Sequence, residues 1–206
     1  KKSDIMVLSA FNVKELGTYA INNAIQSEIN PPKPNEKILE RKIGESIITF
    51  RVGDIVLNTK NDYNAISLDG FNKLKEGEGI LKEEDVCDSV IVNGQTGVIR
   101  DIVDSGMIVQ FEEDMIYISK QKMRNILLGY SISTHKSQGS SIDYTISVVS
   151  PQQSRMLTRG LLYVADTRCR KSHIDIGNTT TFENALQIVD NDLRNTWVKE
   201  LLINET

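Results

Sequence analysis

The stretch that decides the fold is residues 130–176, YSISTHKSQGSSIDYTISVVSPQQSRMLTRGLLYVADTRCRKSHIDI. It reads as strand, polar turn, strand, helix, strand. An apolar run from Ile126 to Ser133 gives way to Thr134-His135-Lys136-Ser137-Gln138-Gly139, a set of small residues, hydroxyls and a cation. Asp143 to Val149 is a β-branched strand stopped by Ser150-Pro151. From Arg155 to Thr167, Leu157, Leu161, Leu162 and Ala165 recur at helical spacing, and the helix empties into Arg168-Cys169-Arg170-Lys171. Open α/β sheets place ligands at polar loops beyond strand ends. Two such loops, each carrying cations and hydroxyls, point to a phosphate or nucleic-acid surface.

Upstream, Ile5 to Ser9 reads as a buried parallel strand. After a loop from Phe11 to Leu16, Thr18 is placed to cap a helix whose apolar face holds Ala20, Ile21, Ala24, Ile25 and Ile29. Asn30-Pro31-Pro32-Lys33-Pro34 ends it, so strand, loop and helix form half of a βαβ unit. Ile47–Phe50 and Asp54–Asn58 are strand-like around Arg51-Val52-Gly53. Residues 64–90, acidic and bearing Gly70, Gly77 and Gly79, predict a long mobile loop or an extra hairpin. Asn93-Gly94 predicts a hairpin turn, and Asp104-Ser105-Gly106 a second turn. With Met107–Phe111 and Met115–Ser119 as short strands, this region reads as a small β-barrel, in which Gly97 meets a backbone requirement. Gly177-Asn178 closes the last core strand, Thr179 to Thr181 caps a helix over 182–189, and a further helix over 193–202 puts Leu193, Trp197, Leu201 and Leu202 on one packing face.

Composition narrows the class. The 206 residues, 39% apolar and 25% charged, suffice for one large domain or two small ones and lack the signature of disorder. A net charge of -4 excludes binding of nucleic acid through bulk positive charge but leaves room for a local basic groove at Lys120–Arg124 and Arg155–Lys171. The acidic runs Glu76–Asp88 and Glu112–Asp114 read as solvated faces. No run is apolar enough for a membrane span and no signal peptide is visible. Cys87 and Cys169 lie far apart without metal-ligand spacing, which fits reduced thiols in a cytoplasmic protein and no metal site. The chain opens at Lys1 directly on a strand-like run and reads as a piece of a longer protein. It contains no G-x-x-x-x-G-K-[ST] loop and no acidic Mg²⁺-holding motif after a strand; Glu83-Glu84-Asp85 belongs to an acidic loop.

HKSQGSSID (135–143) followed by LLYVADTRCRKSHIDIG (161–177) resembles motifs V and VI of superfamily 1 helicases, and most closely the RecD-like branch. Pro151-Gln152-Gln153 stands where that branch has a Pro-Gln loop. Leu16-Gly17-Thr18 and Asn22 fit motif IV, although Lys14 and Glu15 replace its Gly-Pro pair; FRVGDIVLNTKNDYN (50–64) resembles the passage into an inserted barrel. Ser141-Ile142, Asp166 and Cys169 are further departures.

The resemblance implies an α/β fold: a RecA-like parallel-sheet helicase domain (2A) over residues 1–57 and 126–206, interrupted by a small SH3-like β-barrel (2B) over 58–125. It implies that Arg168 is the catalytic arginine that reaches the γ-phosphate of ATP, with Thr167, Gln138, Gly139 and Tyr163 on the ATP side, packing being the first role of Tyr163. Thr134, His135, Lys136 and Ser137, with Lys14, are implied to bind single-stranded DNA, the hydroxyls of Thr134 and Ser137 donating to phosphates. His135 is not expected to be a general base. The full-length protein is then an ATP- and Mg²⁺-dependent helicase moving 5′ to 3′. Its partners are single-stranded DNA, an N-terminal RecA-like domain of the same protein, and recombination or repair subunits. The fragment alone is expected to bind no cofactor and to be inactive. The reading from another class is a non-catalytic nucleic-acid or protein interaction module derived from a helicase domain.

Overall fold

The computed structural model describes residues 5–44, 46–77, 82–138 and 142–189. The chain opens with β1 (Ile5–Ser9) and α1 (Thr18–Ile29), then forms a hairpin from β2 (Leu39–Ile43) and β3 (Ser46–Phe50). There follow β4 (Ile55–Asn58), β5 (Asp62–Ser67), α2 (Leu68–Glu76), β6 (Ser89–Ile91), β7 (Thr96–Val103), β8 (Gly106–Phe111), β9 (Asp114–Ser119) and β10 (Ile126–Leu128). The chain then returns through β11 (Ser131–Ser133), β12 (Ile142–Val149), α3 (Arg159–Asp166), β13 (Cys169–Gly177) and α4 (Thr179–Gln187). Two sheets result. One has the order β11-β1-β12-β13, parallel throughout. The other has the order β10-β4-β7-β8-β9-β5-β6, with every pair antiparallel.

The antiparallel sheet packs round a core that it shares with the hairpin, through Ile48 and Phe50, and with α1, through Tyr19 and Ile25. Ile126 and Leu128 at one edge and Ile91 at the other share a cluster with Val56, Ile99, Val109, Phe111, Ile116 and Ile118. Gly97 sits where a Cβ would come within 2.7 Å of Gln110 O, so close strand approach requires the glycine there. Of the loop or extra hairpin expected over 64–90, the described residues show β5 and β6 paired antiparallel with a helix between them; residues 78–81 lie outside the described residues. β5 runs into α2, capped by Ser67 Oγ, which accepts from Gly70 N at 3.0 Å. Phe71 stacks on Tyr117 of β9 with ring centroids 4.1 Å apart, so the insertion has its own apolar anchor. Asn93-Gly94 makes a turn but no hairpin: β6 and β7 lie on different parts of the sheet, with β6 pairing β5 and β7 pairing β4 and β8.

α1 attaches differently from the sequence expectation. Its buried residues are the polar Thr18, Asn22 and Gln26, while Ala24 and Ile29 are exposed. Gly17 is the N-cap, and Thr18 instead donates its hydroxyl to Asn12 Oδ1 at 3.0 Å. Asn22 closes four bonds: Nδ2 donates to Thr18 O and Ser131 O (2.8 and 2.7 Å), and Oδ1 accepts from Tyr130 N and Ser131 N (3.0 and 2.9 Å). One turn on, Gln26 Nε2 donates to Thr49 O and Asp54 Oδ2 at 2.8 and 2.5 Å. Another turn on, Asn30 Nδ2 reaches Asp54 Oδ1 at 2.7 Å. Spacing of i, i+4 puts these polar groups in one column, facing backbone that the strands leave unpaired. An apolar face there would strand those groups.

Other boundaries also moved. The helix expected from Arg155 to Thr167 is shortened to α3 because Thr158 Oγ1 caps it, accepting from Leu161 N at 3.2 Å, after a tight turn over Pro151–Gln153. Leu157, Leu161, Leu162 and Ala165 are buried as the periodicity implied. Asn178, not the threonines, caps α4 through Oδ1, which accepts from Thr181 N at 2.9 Å. β13 is an exposed edge strand; Ile174 and Ile176 stay 54% and 57% accessible. The helix read over 193–202, Trp197 included, lies outside the described residues. Neither cysteine forms a disulfide, and no helix among the described residues is long and apolar enough to cross a membrane.

Asp54 is fully buried and accepts from Tyr130 Oη (2.9 Å), Asn30, Gln26 and the Arg51 amide (2.7 Å). Burial, then the carboxylate, push the Tyr130 phenol above its ordinary range. Replacing Asp54 with Ala strands several buried donors and should cost roughly 3–5 kcal/mol, whereas Tyr130→Phe should cost about 1–3 kcal/mol. Urea unfolding with an unchanged m-value checks both, and a loss below about 1 kcal/mol for Asp54→Ala would contradict the ranking.

Candidate nucleic-acid and nucleotide surfaces

The loops after β1, β11 and β12 meet at the carboxyl edge of the parallel sheet, tied from beneath by Gln153. Its Nε2 donates to Ser9 Oγ at 3.0 Å, and Ser9 Oγ donates on to Leu16 O at 2.7 Å. Thr134 Oγ1 donates to Ser9 O at 3.4 Å from the third loop. Gly17 passes so close to Val13 that a Cβ would lie 2.1 Å from its carbonyl oxygen. Lys14, at φ 69°, is exposed in the same loop. The three loops therefore share one buried hydrogen-bonded floor.

The turn over Thr134–Ser137 is capped by Ser133 Oγ, which accepts from Lys136 N at 3.4 Å. Thr134 and Ser137 are buried, and Ser137 Oγ donates to Thr134 O at 2.7 Å. Their hydroxyls, expected to donate to phosphates, are turned inward because the tight turn leaves carbonyls that need donors. His135, Lys136 and Gln138 remain exposed. Gly139 lies outside the described residues.

This turn straddles two clefts. Toward α1, Lys136 lines a cleft with Asn12, Tyr19, Asn23, Ile48 and Leu127. Toward α3, His135 and Gln138 line an open groove of about 650 Å³ with Arg155, Arg159 and Tyr163. The structure thus separates His135 from Lys136 and groups it with Gln138 and the exposed Tyr163. Burial, then the neighbouring Arg41 guanidinium, lower the Lys136 pKa.

Arg168 lies elsewhere. The crossover from β12 to β13 returns through α3, so the residue after that helix reaches the amino edge of the sheet: Arg168 O accepts from Ile142 N, the first residue of β12, at 3.0 Å. The two cationic loops thus lie at opposite edges of the sheet, because α3 returns antiparallel to the strands. Arg168 Nη2 donates weakly to Thr167 Oγ1 at 3.4 Å, and its buried Nε has no partner. Among the described residues no carboxylate pairs with it, whereas Asp143 holds Lys171 at 2.6 Å and Arg170 at 3.7 Å. Arg168 therefore keeps guanidinium donors for an incoming anion. Sequence reasoning passed over three residues that the structure places here. Gln153 stood in the Pro-Gln loop only as a landmark. Asp54 sat unremarked beside a turn. Arg41 belongs to a hairpin signalled by apolar residues at Leu39, Ile43 and Ile48 around Gly44.

A parallel sheet interrupted by an antiparallel one is a helicase RecA-like architecture, and comparison with solved structures agrees. Bacteroides Pif1 bound to single-stranded DNA aligns over 95% of this chain and 46% of that one, at 18% identity and a TM-score of 0.54. A second Bacteroides Pif1, in complex with ADP-AlF3 and single-stranded DNA, aligns over 94% of this chain and 46% of that one, at 19% identity and a TM-score of 0.51. These likenesses are of fold. In sequence, the ATP-dependent RecD2 DNA helicase of Deinococcus radiodurans is 26% identical over 88% of this chain. The RecD subunit of the Mycobacterium tuberculosis RecBCD enzyme is 29% identical over 47%. The chain spans 21% and 17% of the lengths of those two relatives. No family model matches. In sequence the chain is similar to RecD2 and RecD helicases, and in fold to the RecA-like domains of Pif1.

The sign of the Lys136 shift yields a test. Its folded pKa lies below the unfolded value, so the fold binds this proton less tightly than the unfolded chain does. The resulting cost is present in full below the folded pKa and disappears as pH rises past the unfolded one. In an NMR titration of methyl-labelled lysines, Lys136 should deprotonate at lower pH than free lysine, and Arg41→Gln should move its midpoint upward. A midpoint unaffected by the substitution would remove Arg41 from its surroundings.

Proposed function

We propose that this chain is the C-terminal motor part of an ATP-dependent RecD-like DNA helicase. It supplies the motif V and VI half of an ATP site and part of a single-stranded DNA track, for 5′ to 3′ translocation and unwinding. The observation that carries this reading is Arg168, a partly buried guanidinium without a carboxylate partner, in the sequence setting of motif VI. An arginine so placed fits phosphate oxygens, and in phosphoryl transfer such a group contributes a rate factor on the order of 10³–10⁵. Thr167 orients it, whereas Gln138 and Tyr163, read as ATP-side residues, line the separate groove toward α3 that Arg168 does not border. ATP binds against an N-terminal RecA-like domain that brings the phosphate loop. That partner domain brings the Mg²⁺ ligands as well. DNA lies against the carboxyl-edge turn through His135, Lys136 and Lys14. The insertion read over 58–125 as the SH3-like barrel of domain 2B corresponds to the antiparallel sheet, whose strands β4 and β10 carry it out to Ile55 and Leu128. The setting is cytoplasmic DNA repair or recombination.

In the full-length protein, Arg168→Ala should lower DNA-stimulated ATP turnover by at least about 10³-fold and leave single-stranded DNA affinity within about 3-fold, since the residue touches no DNA contact. Near-normal turnover in the variant would remove Arg168 from the site.

The isolated chain, purified free of other ATPases, should hydrolyse no ATP with or without DNA, because no phosphate loop is encoded in it. Turnover that copurifies with the chain and responds to DNA would overturn the half-site reading.

A further inference from the structure

The described residues end at the wall of an open groove. α4 finishes against the first turn of α3: Arg159 N donates to Ile188 O at 3.0 Å, and Arg159 Nε donates to Leu186 O at 2.7 Å. Val189, the next residue, lines the groove of about 650 Å³ between α3 and the turn after β11. Met156, Tyr163 and Val164 give the groove an apolar side, with Met156 44% and Tyr163 69% exposed. Contiguous exposure of large apolar side chains marks a surface that takes a partner. Arg155 and Arg159 line the same groove. Among the described residues no acidic side chain lines it, and none pairs with either arginine.

The sequence that follows Val189 has the complementary chemistry. Asp190 and Asp192 stand among its first three residues with no cation between them, and helical spacing puts Leu193, Trp197 and Leu201 on one face. Acid therefore comes first, beside the arginines at the start of α3, and the apolar stripe comes next. The lengths agree. Leu193 lies four residues past Val189, at most about 14 Å of extended chain. α3, eight residues long, spans about 12 Å. A tether this short holds the segment at the groove at an effective concentration on the order of millimolar. Any other ligand, nucleic acid included, has to compete with it. We infer that the segment from Asp190 to Thr206 lays its Leu193, Trp197 and Leu201 face into the groove between α3 and the turn after β11, with Asp190 and Asp192 against Arg155 and Arg159.

This goes beyond the helicase reading and does not depend on it. Gln138 and Tyr163 then hold the chain's own segment. Lys136, on the α1 side of the turn, and Arg168, at the other edge of the sheet, are left uncovered. The charge of Arg155 and Arg159 is met from within the chain, which takes this groove out of any nucleic-acid track.

Trp197 is the single tryptophan of the chain, so its fluorescence reports on this segment alone. In the unsubstituted chain its emission should lie to the blue of that in urea, and its quenching by acrylamide should be several-fold weaker. Tyr163→Asp changes an exposed position on α3. It should shift the emission to the red and raise quenching toward the value in urea. Arg155→Glu should do so in part, and so should Asp190→Arg with Asp192→Arg. In combination the two charge reversals should offset each other, which a variant that merely fails to fold cannot do. Three results overturn the inference: Trp197 as quenchable in buffer as in urea; shielding indifferent to both Tyr163→Asp and Arg155→Glu; and shielding that appears only as protein concentration rises, the mark of a second copy. Displacement of Trp197 by stoichiometric oligo-dT assigns the groove to nucleic acid and overturns it as well.

Discussion

A single buried carboxylate holds the two sheets of this molecule in register. Asp54 sits at the turn between the β2–β3 hairpin and β4, where the chain leaves the RecA-like part for the antiparallel sheet. It is fully buried and its oxygens accept from α1, from the hairpin turn and from Tyr130, at the point where the chain comes back. Tyr130 Oη also accepts from Ile55 N at 3.3 Å, so departure and return are bonded to each other as well as to Asp54. A buried charge is costly unless it is fully hydrogen-bonded. That condition makes the arrangement directional in a way that apolar packing is not. Sliding α1 by one turn would abandon Gln26 and Asn30 together.

The same logic explains why α1 turns its amides inward. β10 and β11 are short, and between them the backbone must leave one sheet and join another. Such a crossing leaves N–H and C=O groups that no strand can pair. Asn22 pairs with the amides of Tyr130 and Ser131 and with the carbonyl of Ser131, acting as a substitute strand of one residue. The cost is a helix with a modest apolar contribution, anchored by bonds of defined geometry. An inserted domain is carried rigidly rather than on a flexible stalk when its joint is built this way.

Much of this was legible in residues 130–176. The polar turn after β11, the β-branched β12 and the burial of Leu157, Leu161, Leu162 and Ala165 all follow from alternation and helical spacing. The RecD-like resemblance, carried by the two motif blocks, agrees with the sequence relatives. What was not legible was long-range. The apolar residues Ala24 and Ile29 outvoted Asn22 and Gln26 in any hydropathy count, because their buried partners lie 23 to 109 residues away. The Asn-Gly pair at 93–94 gave a correct turn and a false hairpin, since β6 finds its partner in β5 instead. Thr134 and Ser137 looked like free donors because the sequence does not display the carbonyls that a tight turn exposes beside them.

The placement of Arg168 at the opposite edge of the sheet from the Thr134–Ser137 turn has a mechanical consequence. Eight residues of β12 separate the edges, roughly 20–25 Å at the rise of a parallel strand. Ligands at the two edges would share no first contact, so any coupling between the edges passes through the sheet itself or through the chain joining β11 to β12. That chain begins at the turn on the Gln153 floor and ends at Ile142, whose amide is bonded to the carbonyl of Arg168. Coupling energy needs an element with two arrangements that both ligands bias. The turn and the loop after β1 both hang on Ser9, whose carbonyl accepts from Thr134 and whose hydroxyl donates to Leu16 O, so neither can shift without disturbing the other.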